Sequence, residues 1–181
     1  MLIQEIIENV KAYHKGEWEG KKIDEATTRD KILYGNPQQE CSGVVTTCWA
    51  SVDVIKKAAE LGANLIIAHE ALFWNHGDHT DWLIKEQNHT FIEKKKLLDA
   101  YGIVVWRDHD YIHSGIPMKD GSYTDGIFYG VAEKLGWTDY IRKDIHNPLY
   151  FEIPKTTVGE LADFLVQRLQ LNGIKIIGNL H

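Results

Sequence analysis

The stretch NLIIAHEALFWNHGDH, Asn64 to His79, begins as an apolar run and then changes abruptly to histidine and acidic residues. The run Leu65–Ala68 is short and lacks polar alternation, which is typical of a strand buried on both faces of a parallel sheet. His69 and Glu70 follow the predicted strand directly. This point of the chain is therefore expected to decide both the fold and the chemistry.

Strands and helices alternate on both sides of this segment. The pattern predicts strands at 43–49, 64–68 and 103–106, and helices at 52–62 and 91–101. Ser51 is placed to cap the first of these helices, and Gly62 and Gly102 are placed to end them. Short apolar strands separated by amphipathic helices predict an α/β fold: a mostly parallel sheet with helices on both faces, in three layers.

Further elements are predicted on either side of this core. Leu2 to Val10 has helical spacing, residues 125–136 form a second such pattern, and Thr157 with Glu160 forms a capping box that opens a helix. Strands are predicted at 149–154 and 174–178. We expect an α/β domain at 1–140 that carries the polar cluster, followed by the start of a second α/β segment at 141–181.

Composition excludes several classes of protein. The 181 residues carry a net charge of −6 with a pI of about 5.8, so no nucleic-acid binding through basic charge is expected. The two cysteines make no disulfide framework, and no apolar run approaches the roughly 20 residues of a membrane span. Glu5 and Glu8 interrupt the N-terminal apolar pattern, which does not resemble a signal peptide. A cytoplasmic protein is predicted.

Six of the nine histidines lie between residues 69 and 113, after two predicted neighbouring strands. Because parallel strands end at one edge of a sheet, imidazole and carboxylate groups there predict a site for Zn, Fe, Mn or Ni. The alternatives to a metal site are ordinary structural roles for these histidines. Each histidine is individually more typical of a surface or hydrogen-bonding residue, His76 and His79 suit loop caps, and His89 suits a solvated helix face.

Three segments resemble one protein family. GANLIIAHEALFW (Gly62–Trp74) resembles the strand-plus-ligand motif of the NGG-interacting-factor-three-like proteins, also called GTP cyclohydrolase 1 type 2 homologues, which usually reads Gly-Ala-Asp-Leu-Ile-Ile-Thr-His-His-Pro-Leu-Phe. DKILYGNP (Asp30–Pro37) is similar to the family's Asp-Asn-x-Gly-Leu-x-x-Gly segment. YGIVVWRDHDYIH (Tyr101–His113) is similar to the segment that carries His-x-x-x-Asp after a strand. The resemblance extends over nearly the whole chain.

The resemblance implies an α/β core, a dinuclear metal centre and a homohexameric ring. By position, the family's paired histidines fall on His69 and Glu70, the next histidine on His109, and the aspartate ligand on His113. One histidine has thus become a glutamate and one aspartate a histidine. The implied metal ligands are His69, Glu70 and His113, holding one or two divalent ions. Further family ligands come from a C-terminal segment, so the chain is expected to be the front part of a longer protein.

Two functions follow from this resemblance. The first is a metal-dependent hydrolase of the GTP cyclohydrolase 1 type 2 homologue kind, acting on a nucleotide-like small molecule, with His109 and Asp110 in catalytic roles and Arg107 placed to meet an anionic group. The alternative is a non-catalytic metal-binding scaffold or regulatory protein, which the exchanged ligands favour. A homo-oligomer is expected, with no membrane or nucleic-acid partner.

Overall fold

The parallel sheet is present in the computed structural model, which describes residues 1–142 and 150–180. The chain divides into two compact units, Met1–Pro117 and Met118–His181. The elements of the first unit are α1 (Ile3–Tyr13), β1 (Glu17–Trp18), β2 (Lys21–Lys22), β3 (Ile32–Tyr34), β4 (Val44–Thr47), α2 (Val52–Glu60), β5 (Leu65–Ala68), α3 (Asp81–Lys85), α4 (His89–Tyr101), β6 (Val104–Arg107), α5 (Asp110–Ser114) and β7 (Ile116–Pro117). The second unit contains β8 (Tyr123–Thr124), α6 (Gly126–Leu135), a 3₁₀ turn (Thr138–Tyr140) and α7 (Val158–Leu169).

The first unit is built on a four-stranded sheet in the order β3-β6-β5-β4. Strands β4, β5 and β6 run parallel, and β3 pairs antiparallel with β6 at one edge. A second, two-stranded piece is the antiparallel hairpin of β1 and β2. The mostly parallel sheet predicted from the apolar runs is confirmed.

Successive residues of the central strands pack on opposite faces of the sheet. Ile66 and Val105 join Ile55 of α2 and Leu98 of α4 in one buried cluster. On the other face, Leu65, Val104 and Trp106 pack against Ile3 and Ile7 of α1. Because both faces are covered by helices, strands in this position must be apolar throughout, as the sequence indicated. The three-layer arrangement is confirmed.

The predicted helix boundaries are confirmed by their caps. Ser51 Oγ accepts a hydrogen bond from Val54 N at 3.2 Å, and Gly102 ends α4 in the left-handed conformation with φ of 61°. Thr157 and Glu160 form the expected reciprocal box, in which Glu160 N donates to Thr157 Oγ1 and Thr157 N donates to Glu160 Oε2.

Two predicted strands are wrong. Residues 174–178 form no strand, and Ile177 is 89% exposed, so this apolar run joins no sheet within the described part of the chain. Of 149–154, residue 149 lies outside the described residues, and the rest contributes a single β-bridge from Phe151 to Ile141. The domain boundary at 140 stays a prediction. Among helices of residues 1–142 and 150–180, none is long and apolar enough to span a membrane.

Candidate metal centre

The carboxyl ends of β5 and β6 lie side by side in register. Ala68 pairs with Arg107, and each is the last residue of its strand. His69 therefore leaves the sheet beside Asp108 and His109, and the short helix α5 brings His113 back to the same edge. The convergence expected from the sequence is present.

Three histidines, His69, His109 and His113, form what we call the histidine cluster. Each offers one ring nitrogen, and the three nitrogens lie within 4.8 Å of one another. The rings of His69 and His109 stack with centroids 4.6 Å apart, and the ring of His113 meets each of them edge-on at 5.0 Å. This half-buried group can hold a metal ion.

Hydrogen bonds decide which nitrogen of two of these rings carries the proton. His69 Nδ1 lies 3.1 Å from the carbonyl oxygen of Asp108, and His109 Nδ1 lies 2.9 Å from Asp110 Oδ1. Carbonyl and carboxylate oxygens only accept, so both Nδ1 atoms donate. Each Nε2 is left with its lone pair. Metal-binding histidines are oriented in this way in proteins generally.

Charge and burial keep His109 in the form that binds metals. Burial chiefly lowers the pKa of His109, and the neighbouring His69 and Arg107 add to this, although the hydrogen bond to Asp110 opposes it. Burial raises the pKa of Asp110, but the hydrogen bonds from Arg29 N, His109 and Thr28 outweigh it and lower that pKa. A neutral imidazole beside an ionised carboxylate results.

Helix α5 is held in place by a buried carboxylate far away in the sequence. Asp30 Oδ1 accepts from His109 N at 2.5 Å, and Asp30 Oδ2 accepts from Asp110 N at 2.8 Å. Thr28 Oγ1 lies 2.7 Å from Asp30 Oδ2 and 2.9 Å from Asp110 Oδ2, so its one proton is shared between the two carboxylates. These bonds take up backbone donors at the start of α5, where a helix has no partners of its own. Asp30 thus positions His109.

A second buried pair lies behind the cluster. His14 Nε2 is 3.8 Å from Asp108 Oδ2, and both side chains are almost fully buried. Burial lowers the pKa of His14; burial first and Asp30 second raise the pKa of Asp108 to about 7. Within the described residues, His14 Nδ1 and Asp108 Oδ1 have no hydrogen-bond partner. Burial favours the neutral form of both side chains.

Arg107 does not face a substrate, contrary to the prediction. It is only 2% exposed, and its guanidinium donates to the carbonyls of His69 and His76, at 3.0 and 2.6 Å. It also donates to Glu70 Oε2 at 3.1 Å and to His76 Nδ1 at 3.0 Å. The sequence correctly predicted that Arg107 lies at the end of a strand. Its side chain, however, hydrogen-bonds to the loop that follows β5 and holds that loop in place.

The remaining candidates lie in three different surroundings. Glu70 pairs with Arg107 and is not part of the histidine cluster, so its role as a ligand stays a prediction. His76 meets the ring of His109 with centroids 4.9 Å apart. His79 is exposed in the loop, and His89 is exposed on α4, as a solvated helix face requires.

A cavity of about 460 Å³ opens beside the cluster. His109, Asp110 and His113 form one wall, and the hairpin of β1 and β2 forms another with Trp18, Lys21 and Lys22. The volume lies in the range of small-molecule pockets, about 300–1,000 Å³.

Comparison with known families finds one similar family. A family model described as Duf34/NIF3 (NGG1p interacting factor 3) matches residues 21–100. Over this segment, which is less than half of the chain, the sequence is similar to the NIF3 family. The matched segment contains Asp30, His69 and Glu70 but ends before His109 and His113, so the transfer of family roles to those two positions stays a prediction. No curated protein sequence matches significantly.

Solved structures show the same fold. A Bacillus cereus protein related to NIF3 is 21% identical with a TM-score of 0.52; the match covers 77% of this chain and 34% of that one. The protein ybgI is 22% identical with a TM-score of 0.56, covering 94% of this chain and 61% of that one. Staphylococcus aureus protein SA1388 is 19% identical with a TM-score of 0.52, covering 75% and 34%. The chain thus spans about a third to three-fifths of these relatives.

Two features of this candidate site escaped the sequence reasoning. Asp30 lies in a segment recognised by resemblance, but nothing local shows that its carboxylate reaches α5. The proximity of His76 to His109 was also missed, because it depends on how the loop folds back. The dipeptide His109-Asp110 carried a usable signal, since a carboxylate next to a histidine can fix its tautomer.

Proposed function

We propose that the histidine cluster binds one divalent metal ion and that the protein uses it to hydrolyse a small anionic molecule. The observation that carries this proposal is the shared tautomer of His69 and His109. In each of the two stacked imidazoles an oxygen acceptor holds Nδ1, which leaves the Nε2 lone pair to bind a metal.

The donor set narrows the choice of metal. Three imidazole nitrogens suit Zn, Fe and Ni, whereas Mn prefers oxygen ligands. Of the four metals predicted from the sequence, Zn, Fe and Ni therefore fit better than Mn. A second ion is proposed only through the family resemblance, which gives Glu70 as a ligand.

Three protein ligands favour catalysis over a structural role. Structural zinc sites are closed by four protein ligands, whereas catalytic sites keep one position open. A divalent cation in such a site lowers the pKa of bound water toward ~7 and polarises a substrate oxygen. The ligand roles go to His69, His109 and His113.

Asp110 Oδ1 accepts a hydrogen bond from His109 Nδ1, and Asp110 Oδ2 accepts from Thr28 Oγ1 and Arg29 N. Asp110 is thereby a positioning group.

The proposal of a small-molecule substrate is supported by the cavity beside the histidine cluster. Lys21 and Lys22 on its wall can pair with an anionic group, Glu19 and Asp24 line the same cavity, and Trp18 offers an aromatic face. A nucleotide-like substrate, as the family resemblance implies, has both features. The homohexamer, the dinuclear centre and the cytoplasmic location likewise remain proposals taken from the sequence.

The experiment separates metal binding from turnover. Elemental analysis of purified protein is expected to show about one metal per chain, lost in His69→Ala and His113→Ala but kept in the matched control His89→Ala, which changes an exposed histidine outside the cluster. Metal-reconstituted protein is then assayed against nucleotides and phosphoesters. Turnover lost with the metal supports the hydrolase, binding without turnover supports the scaffold, and equal metal in all variants contradicts the site.

A further inference from the structure

His76 carries its proton on the opposite nitrogen from His69 and His109. Its Nδ1 lies 3.0 Å from Arg107 Nη2. A guanidinium has donors and no acceptor, so His76 Nδ1 must accept, and its proton lies on Nε2. His76 therefore presents an N–H group where the cluster histidines present lone pairs.

The loop that carries His76 is fixed at three points. Arg107 binds the carbonyls of His69 and His76. The Asp78 carboxylate accepts from the backbone N–H groups of residues 72, 73 and 74, at 3.1, 2.8 and 2.9 Å. Lys94 of α4 donates to the carbonyl of Leu72. The position of His76 is thus set by buried and half-buried groups on two other elements.

His76 is close to the cluster and open to a ligand. Its ring centroid lies 4.9 Å from that of His109, with the ring planes 74° apart. Its side chain is 51% exposed, so the Nε2–H group can reach a bound molecule. An N–H donor next to a cationic site is suited to an anion.

We propose that His76 is a hydrogen-bond donor to an oxyanion bound at the histidine cluster, with its tautomer set by Arg107. This inference rests on the proposed metal site and adds the recognition of an anionic substrate group. Arg107 acts through His76 as a positioning residue and does not touch the ligand.

The first test needs no metal. Long-range ¹H–¹⁵N spectra of metal-free protein, with each histidine assigned by substitution, are expected to show His76 protonated on Nε2 and both His69 and His109 protonated on Nδ1. A His76 ring protonated on Nδ1 overturns the proposal, whatever the metal content of the protein.

The second test uses Co²⁺-loaded protein titrated with inorganic phosphate by calorimetry. His76→Ala is expected to keep the wild-type cobalt content and to bind phosphate about 10-fold more weakly, the lower range for one hydrogen bond to a charged group. His76→Gln, whose amide keeps an N–H donor, recovers most of the affinity. The matched control His79→Ala, on the same loop, binds phosphate like the wild type.

The outcomes of this titration separate the two proposals. Cobalt lost from His76→Ala makes His76 a ligand and overturns the donor role while leaving a metal site. Unchanged phosphate affinity in His76→Ala also overturns it. A wild-type protein that binds no cobalt overturns the proposed function, and the anion site with it.

Discussion

The substitution Asp30→Ala tests how the fold holds the candidate site together. The carboxylate of Asp30 is 3% exposed and accepts from the backbone N–H groups of His109 and Asp110. In the variant both donors lose their partner, and the start of α5 is released from the loop that precedes β3. Stability and metal affinity should therefore fall together.

The size of the effect follows from these contacts. An unsatisfied buried donor costs about 1–3 kcal/mol, and two donors at a half-buried helix start give a loss of about 3 kcal/mol in the free energy of unfolding. Part of the loss is offset, because Asp30 is, after burial, the second cause of the raised pKa of Asp108. At about 3 °C per kcal/mol, the melting temperature falls by about 9 °C. Metal affinity falls about 10- to 100-fold, as for other groups that orient a ligand.

Differential scanning calorimetry and competitive metal titration measure the two effects. The matched control is Asp125→Ala, which removes an aspartate that accepts from Ile127 N and Phe128 N at 3.0 Å at the start of α6, in the other unit. This control should lose about 1 kcal/mol of stability and keep its metal affinity. An Asp30→Ala protein that is less stable but binds metal as tightly as the wild type would refute the positioning role.

Three further predictions concern neighbouring groups. Glu70→Gln keeps its metal in elemental analysis, because Glu70 Oε2 bonds to Arg107 at 3.1 Å; loss of the ion would restore Glu70 as a ligand. In metal-free protein, Asp108 binds its extra proton between its unfolded pKa of about 3.9 and its folded pKa of about 7, so stability falls across that window as pH rises, by up to about 4 kcal/mol. Urea unfolding of Asp108→Asn at pH 4, 5.5 and 8 should lose this slope, and a persisting slope contradicts the assignment. Ser51→Ala removes the cap of α2 and costs about 1 kcal/mol in thermal unfolding without changing metal content; no loss of stability contradicts the cap.

The central fold was predictable because local pattern and tertiary burial agree. The runs at β5 and β6 are apolar throughout, and both strands are covered on two faces. The run 174–178 has similar composition but pairs with no strand among residues 1–142 and 150–180, so propensity alone gave the wrong result. Helix α5 was missed because its five residues carry no apolar periodicity and its start is held by Asp30, some 80 positions away.

The position of the site in the fold was predictable from the sequence, but the roles of its individual side chains were less so. The register of Ala68 with Arg107 follows from two parallel strands, and it brings His69 to His109. The partner of each side chain depends on long-range geometry, as in the contacts of Arg107 with Glu70 and His76. Sequence reasoning therefore gave Arg107 to the substrate and did not foresee the pairing of Glu70 with Arg107.

Anomalous X-ray scattering at the absorption edge of the bound metal, from crystals of the metal-loaded protein, tests the central claim most directly. We expect one peak about 2.0–2.1 Å from Nε2 of both His69 and His109, with His113 completing the ligand set. A peak bound by Glu70 and His76 without His109, or one bound through an Nδ1 atom of His69 or His109, would contradict the account.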